Sequence, residues 1–146
     1  MATKQTLFFT GVGRPVFGNN FRSGSPIVFR HTHTFLAAVL TTDVLEMFMV
    51  PAYAQIKRFE MISANIGAIN ANVGIMTGTP GDTAAVRTAG AELVSATALN
   101  TTILTTLAQR AAFGKIGDSP VSIGLTPASD ITAAANKTIT FEVELF

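Results

Sequence analysis

The sequence predicts an all-β chain folded as an antiparallel sandwich or barrel. Seven or eight short apolar stretches are separated by Gly, Pro and Asn turns at intervals of roughly ten residues, a spacing typical of such folds. The chain shows no regular alternation of strands and helices, which a parallel sheet would require. Its 146 residues suffice for one domain with a sizeable core.

The middle of the chain predicts three consecutive strands. Residues 43–50 form an unbroken stretch rich in Val, Phe and Met that ends at Pro51, because proline has no N–H to donate to a ladder. Residues 54–63 resume an extended pattern. After a turn around Gly67, residues 71–76 alternate between apolar and polar or small side chains, as a strand with one buried face does. A further strand is expected before them, over residues 35–42.

The second half predicts shorter elements. Residues 77–82 are rich in turn formers, and a short helix is expected from Asp82, which would cap its N-terminus, to residue 91. Residues 91–113 mix Ala and Leu with β-branched Thr and Ile, and we interpret them as two short extended pieces separated by a turn near Asn100.

Two strands are predicted at the end of the chain. The first covers residues 121–126. The second covers residues 138–146, where Phe141 and Val143 belong to the buried face while Glu142 and Glu144 belong to the exposed one. A slip of one residue would bury both carboxylates, so the register of this last strand is strongly specified.

The composition favours an assembly component. Charged residues are 13% of the chain, whereas typical soluble domains carry about 25%. A surface so poor in charge is usually covered in part by partners, and we expect a homo-oligomer. The alternative is a monomer whose polar surface consists of Thr, Asn, Ser and Gly. The chain has no Cys, which excludes disulfides and thiolate chemistry.

The first 34 residues differ from the rest, and we predict that they form an extended N-terminal arm in front of a sandwich domain spanning residues 35–146. They contain four basic and no acidic side chains, and five of the 11 Phe residues, interspersed with Gly and Pro. Either these aromatic residues contact a partner, or they complete the core of their own domain; an arm that crosses to a neighbouring subunit would do both. The candidate partner-binding residues are Phe8, Phe9, Arg14, Phe17, Phe21, Arg22, Phe29 and Arg30.

Other classes of function find little support in the residues. Four basic side chains in the arm are too few, and no aromatic motif accompanies them, for a nucleic-acid partner. We expect no membrane partner, since the chain has no apolar run long enough to span a bilayer and no signal-peptide pattern. His31 and His33 share one strand face, but a pair of polar residues at a strand entrance is a simpler interpretation than a metal site. No catalytic residues, cofactor or metal are predicted, because no nucleophile, phosphate-binding or dinucleotide motif is present.

Several short motifs resemble a segment common in structural proteins of tailed bacteriophages. The stretch TDVLEMFMVPA, at residues 42–52, is similar to a strand that leads into a Pro-Ala-Gly corner, although Tyr53 stands where that corner usually has Gly. AELV at residues 91–94, SIGL at 122–125 and KTITFEVELF at 137–146 resemble later parts of the same family. The resemblance covers residues 35–146.

This resemblance implies a jelly-roll-like sandwich on the phage particle. The implied role is that of a capsid decoration (cement) protein, often trimeric, that binds the major capsid protein on the outside of the virion and reinforces the shell without catalysis. Such a protein is made in the host cytoplasm. Other virion roles stay open, namely a head–tail connector or a tail or head-fibre protein; a host-surface carbohydrate-binding module is less favoured, because the chain has no Trp and one Tyr.

Overall fold

The computed structural model describes residues 2–6 and 27–146, which form nine strands and one short helix. The elements are β1 (Thr3–Gln5), β2 (Ile27–Thr34), β3 (Val44–Val50), β4 (Ile56–Ala64), β5 (Asn70–Ile75), β6 (Val94–Ala98), β7 (Ile103–Leu104), α1 (Leu107–Phe113), β8 (Val121–Pro127) and β9 (Thr138–Leu145).

The strands form two sheets that face each other. One sheet has the order β1-β3-β8-β5-β6 and the other β2-β9-β4-β7. Without β1, each sheet has four strands, and every pairing among them is antiparallel. Early strands pair with late ones, β2 with β9 and β3 with β8, which is the strand order of a jelly roll. The predicted antiparallel, jelly-roll-like sandwich is therefore confirmed, with β1 added in parallel to β3.

The core lies between the sheets and includes a cluster of four phenylalanines around Phe48. Phe48 of β3 lies with its ring centroid 5.4 Å from that of Phe141 in β9 and 6.0 Å from that of Phe59 in β4. Phe29 of β2 meets Phe48 edge-on at 5.6 Å. All four side chains are buried, and such contacts add to the area term that drives burial. These four aromatic residues thus join β2, β3 and β4 to the last strand, β9.

Most predicted strands agree with the structure. The three central strands are present as β3, β4 and β5, and Pro51 directly follows β3. The two extended pieces around Asn100 are β6 and β7, and the closing strands are β8 and β9. In β9 buried and half-buried positions alternate at every residue, with Phe141 and Val143 buried as predicted.

Two predicted elements are wrong. The strand expected over residues 35–42 is a loop that makes one bridge, between Val39 and Ile131, and the strand of this region is β2, which ends at Thr34. The helix expected from Asp82 is absent from residues 82–91. Asp82 does accept backbone N–H bonds from Ala84 and Ala85, as a cap would, but the chain continues as a loop.

One helix, α1, follows the second extended piece and was not predicted. Thr106 caps its N-terminus: its hydroxyl oxygen accepts a hydrogen bond from the N–H of Gln109, and the Gln109 side chain accepts one from the N–H of Thr106. This reciprocal pair is a capping box. Gly114 follows the helix with a φ of 70°, which suits glycine.

The boundary predicted at residue 34 does not match the structure at either end of the predicted arm. Residues 27–34 are a full strand of the four-stranded sheet, paired with β9 from Ile27 to Thr34. Residues 3–5 form the edge strand of the other sheet. Residues 3–5 and 27–34 of the predicted arm therefore belong to the sandwich. The arm prediction for residues 7–26 lies outside the described residues.

Candidate partner-binding surface

The eight candidate residues fall into three groups. Six of them lie outside the described residues: Phe8, Phe9, Arg14, Phe17, Phe21 and Arg22. Phe29 is 7% exposed and packs on Phe48, so it completes the core of its own domain, which is one of the two alternatives left open above. Arg30 is exposed on the outer face of β2. Among the described candidates, then, Arg30 alone is positioned on the surface.

Arg30 belongs to a charged face formed by the outer side of the sheet β2-β9-β4-β7. In register, Arg30 lies opposite Glu142 of β9, and Glu142 lies opposite Glu60 of β4. One step along, Glu144 lies opposite Arg58. Opposite charges on neighbouring strands stabilise a sheet face modestly, while the Glu142–Glu60 pair is repulsive and benefits from the nearby cations. We call this side the charged face.

The charged face holds two ion pairs and a shallow recess. Arg58 Nη2 lies 2.6 Å from Glu60 Oε2, and Lys57 Nζ lies 3.5 Å from Glu144 Oε1. Both pairs are open to water, so each contributes little to folding stability. A recess of about 110 Å³ lies between the three strands, lined by Arg30, Glu60, Ile62, Thr140 and Glu142.

Part of the outer face of the five-stranded sheet, in contrast, is covered by the chain itself. Residues 76–93 form a long loop that returns over β5 and β8. A Cβ atom on Gly74 would come 2.4 Å from the backbone carbon of Gly90, and one on Gly124 would come 2.7 Å from Met76. The glycines in β5 and β8 therefore allow the loop to lie directly on the sheet. These positions show why the alternation predicted for β5 and β8 includes glycine on the outward side.

A buried ion pair attaches this loop to the sheet. Arg87, in the loop, is 1% exposed, and its Nη1 lies 2.7 Å from Oε1 of Glu46 in β3, which is fully buried. The other guanidinium nitrogens donate to the Ser122 hydroxyl (2.5 Å) and the Thr77 carbonyl (2.7 Å). Glu46 also accepts hydrogen bonds from the Gln5 side chain, at 2.9 Å, and from a backbone N–H in the loop. Both charges are thus paired and hydrogen-bonded, as burial requires.

Sequence reasoning missed this cluster because Glu46 and Arg87 are 41 residues apart. Glu46, in the middle of the apolar stretch VLEMFMV, was the signal that could have indicated it. A carboxylate is rarely buried unless it is paired, so its position in a buried strand implies a partner.

The corner between β3 and β4 contains a strained, exposed aromatic residue. Tyr53 has a φ of 64°, in the left-handed region that favours glycine, and its side chain is 62% exposed. Its backbone N–H donates to the carbonyl of Gly117 at 2.9 Å, which holds the corner in place. The corner therefore keeps a glycine-like conformation although the residue is Tyr, and it presents a large ring to solvent.

An apolar groove of about 490 Å³ opens at the edge where β1 and β2 approach each other. It is lined by Lys4, Gln5, His33, Thr34, Leu36, Ala37, Val39 and Leu45. Both histidines of the chain lie on the inward side of β2 rather than at a strand entrance, His31 against Phe141 and His33 against Phe35. Burial lowers the pKa of both imidazoles, that of His33 to about 4.

The described residues contain no group of three or more His, Cys, Asp or Glu side chains arranged to hold a metal ion. Within the same residues, no helix is long and apolar enough to cross a membrane.

Comparison with known proteins identifies similar folds among phage capsid structures. No protein-family model matches the chain, and no curated protein matches it either. A chain in the structure of the capsid of Ralstonia phage GP4 superimposes with a TM-score of 0.80 and 24% sequence identity, and the match covers 99% of this chain and 97% of that one. A chain in the cyanophage Pam1 capsid asymmetric unit matches with a TM-score of 0.56 and 14% identity, over 82% of this chain and 83% of that one. At these identities the likeness shows a shared fold.

Proposed function

We propose that this chain is a non-enzymatic structural component of a tailed-phage virion that binds the outer surface of the major capsid lattice and stabilises the head, as a decoration protein does. The observation that carries the proposal is the end-to-end match with a chain of the GP4 capsid structure, in which each chain covers almost all of the other. A fold shared over nearly the full length of both chains supports, by analogy, a place in a capsid for this chain as well. The motifs shared with phage structural proteins point the same way.

The two faces of the sandwich support a division of roles in binding. The loop of residues 76–93 occupies the outer side of the five-stranded sheet around Gly74, where a partner would have to displace the buried Arg87–Glu46 pair. The charged face is open and needs no rearrangement. Residues 7–26, which contain four phenylalanines and two arginines, are the other candidate for this contact, and they directly precede β2 in the sequence.

Binding of this kind stabilises a shell by mass action. A protein that binds the assembled lattice but not its free subunits shifts the equilibrium toward the lattice, by about 2.7 kcal/mol per site at a hundredfold excess over Kd. If the chain forms a trimer, as the low charge content and the resemblance suggest, three attachment points act together and the apparent affinity rises without any new contact. No chemical reaction is needed, which agrees with the lack of a catalytic motif in the sequence.

The test replaces residues 8–25 by a Gly-Ser linker of about eight residues, which spans up to roughly 26 Å and keeps β1 and β2 in place. A truncation that removes residues 2–30 is unsuitable, because it would delete β1 and the buried Phe29. We expect the loop variant to unfold cooperatively like the full chain but to cosediment far more weakly with empty capsids of the parent phage, since each buried aromatic contributes about 1.5–3 kcal/mol. A second variant, Arg30→Glu, tests the contribution of the charged face.

The outcomes separate the alternatives. Full-length protein that fails to bind empty capsids, or that is present in only a few copies per particle, would contradict decoration and favour a connector or fibre role. Unchanged capsid binding by both variants would contradict the assignment of the contact to this side of the sandwich. Sedimentation equilibrium tests the trimer, and a single 15.3 kDa species at micromolar concentration would contradict it.

A further inference from the structure

The histidines of β2 occupy an unusual position for ionisable groups. β2 is the edge strand of its sheet, and its inward side carries Phe29, His31 and His33 in sequence. The His31 ring lies 5.7 Å from that of Phe141, and the His33 ring meets that of Phe35 edge-on at 5.0 Å. Nδ1 of His33 is buried and has no hydrogen-bond partner in the part of the chain that the structure describes. An imidazolium there would place an N–H where no acceptor receives it.

The charges around His33 also disfavour its protonation. On its own strand the nearest ionisable group is His31, which adds to the lowering of its pKa. From β1, Lys4 lines the same groove. The carboxylates on the neighbouring elements are committed elsewhere: Asp43 accepts the backbone N–H groups of Ala2 and Leu40, and Glu46 pairs with Arg87. On β9, the residue in register with His33 is the apolar Ile139.

We propose that the β1–β2 edge is an acid-sensitive latch, in which protonation of His33 separates β2 from the core and opens the apolar groove. Protonated His33 would add a second cation beside Lys4 at the groove, and His31 would add a third on the same side of the strand. β2 has a sheet neighbour on one side only, so it can detach without breaking the central pairing of β9 with β4.

The direction of the pH effect follows from the lowered pKa. The folded state binds the His33 proton less readily than the unfolded state does, so its stability is complete above the ordinary histidine value of 6.5 and falls as the pH drops from 6.5 toward about 4. The shift corresponds to more than a hundredfold in the folding equilibrium, and partial solvent access reduces this to roughly tenfold.

The experiment measures amide hydrogen exchange of the full-length protein at about pH 7 and about pH 4.5, corrected for intrinsic rates, with histidine titration followed by NMR. We expect protection of the β2 amides to fall at least about tenfold more than that of the β8 amides, because detachment is local. The variant His33→Phe keeps the packing against Phe35 but cannot be protonated, and it should abolish this difference. Thr32→Val, one residue away on the outer face, is the matched control and should leave it unchanged.

Three results would overturn the proposal: a titration of His33 near 6.5 in the wild-type protein, equal loss of protection in β2 and β8, or an unchanged pH response in His33→Phe. If His33→Phe does not fold, the first two measurements, which use the wild-type chain alone, still decide the question. A specific loss of β2 protection together with a low His33 pKa would establish the latch.

Discussion

Replacement of Arg87 by methionine tests the role of the buried ion pair directly. Arg87→Met keeps much of the side-chain volume but leaves Glu46 as a fully buried carboxylate without its cation. Removing one partner of such a pair typically costs about 3–5 kcal/mol. The guanidinium also donates to Ser122 and to two loop carbonyls, so the loop of residues 76–93 loses its main attachment to the sheet. We therefore expect a loss of free energy of unfolding of about 3–5 kcal/mol.

The exposed pair on the opposite face provides the matched control. Arg58 Nη2 lies 2.6 Å from Glu60 Oε2, a contact as short as that of Arg87, but its side chain is 49% exposed. Arg58→Met should lower the free energy of unfolding by less than about 1 kcal/mol, because water already screens and solvates this pair. Both variants are compared with the wild type by urea titration at neutral pH. The difference between them isolates burial as the cause, since the chemistry of the substitution is the same.

A double variant separates the cost of an orphaned charge from the net value of the pair. Removing both charges in Arg87→Met/Glu46→Leu is expected to recover much of the stability lost in Arg87→Met, because apolar replacement of a complete buried pair is often neutral. A loss below about 1 kcal/mol for Arg87→Met would refute the reasoning, and so would a double variant less stable than Arg87→Met by more than that amount.

Two further predictions concern packing. Phe141→Ala removes a fully buried ring that stacks on Phe48 and should cost about 3–5 kcal/mol in denaturant titration, whereas a loss below about 1 kcal/mol would mean that the cavity collapses. Gly74→Ala places a methyl group 2.0 Å from the Glu92 carboxylate and 2.4 Å from backbone, so the loop must move, at a cost of about 1–3 kcal/mol. Gly117→Ala meets nothing within 4 Å and is its control; equal unfolding midpoints for these two glycine variants would show that the loop adapts freely.

The strands that could be predicted are those whose bounds or buried face follow from the order of residues within the strand itself. β9 alternates strictly between inward and outward side chains, and β3 ends at a proline that cannot continue a ladder, so both are determined by nearby residues. The prediction of a strand over residues 35–42 is wrong because the apolar residues of this stretch were interpreted as a sign of an extended strand. Phe35 and Val39 are buried, but they lie in a loop rather than in a strand.

β2 was missed for the opposite reason. Its sequence, IVFRHTHT, places two histidines on the inward side, where a period-two pattern would have apolar residues. Only the pairing with β9, more than a hundred residues away, shows that the histidines face the core. The same distance effect hid the Arg87–Glu46 pair, because no local pattern links a loop arginine to a glutamate in an earlier strand.

The candidate surface was predictable only in part, because residues that are close in the sequence differ in whether they are buried or exposed. Phe29 and Arg30 are neighbours in sequence, yet they lie on opposite sides of β2, one in the core and one on the charged face. Composition can indicate that an aromatic, basic stretch has a role in contacts; it cannot assign each residue to a side of a strand until the register is known.

The two sheets differ in whether their charged side chains are buried or exposed. This difference leads to the orientation that we propose on the capsid. In the five-stranded sheet, Glu46 in the middle of β3 is paired with Arg87 of the chain's own loop, so its charge is not available to a partner. In the four-stranded sheet, Arg30, Arg58, Glu60, Glu142 and Glu144 stay on the surface, although charged residues are only 13% of the chain. Retaining charges on this open face adds little to folding stability. It is useful for recognising a partner with complementary charges, because such pairs fix register and orientation more than they add affinity.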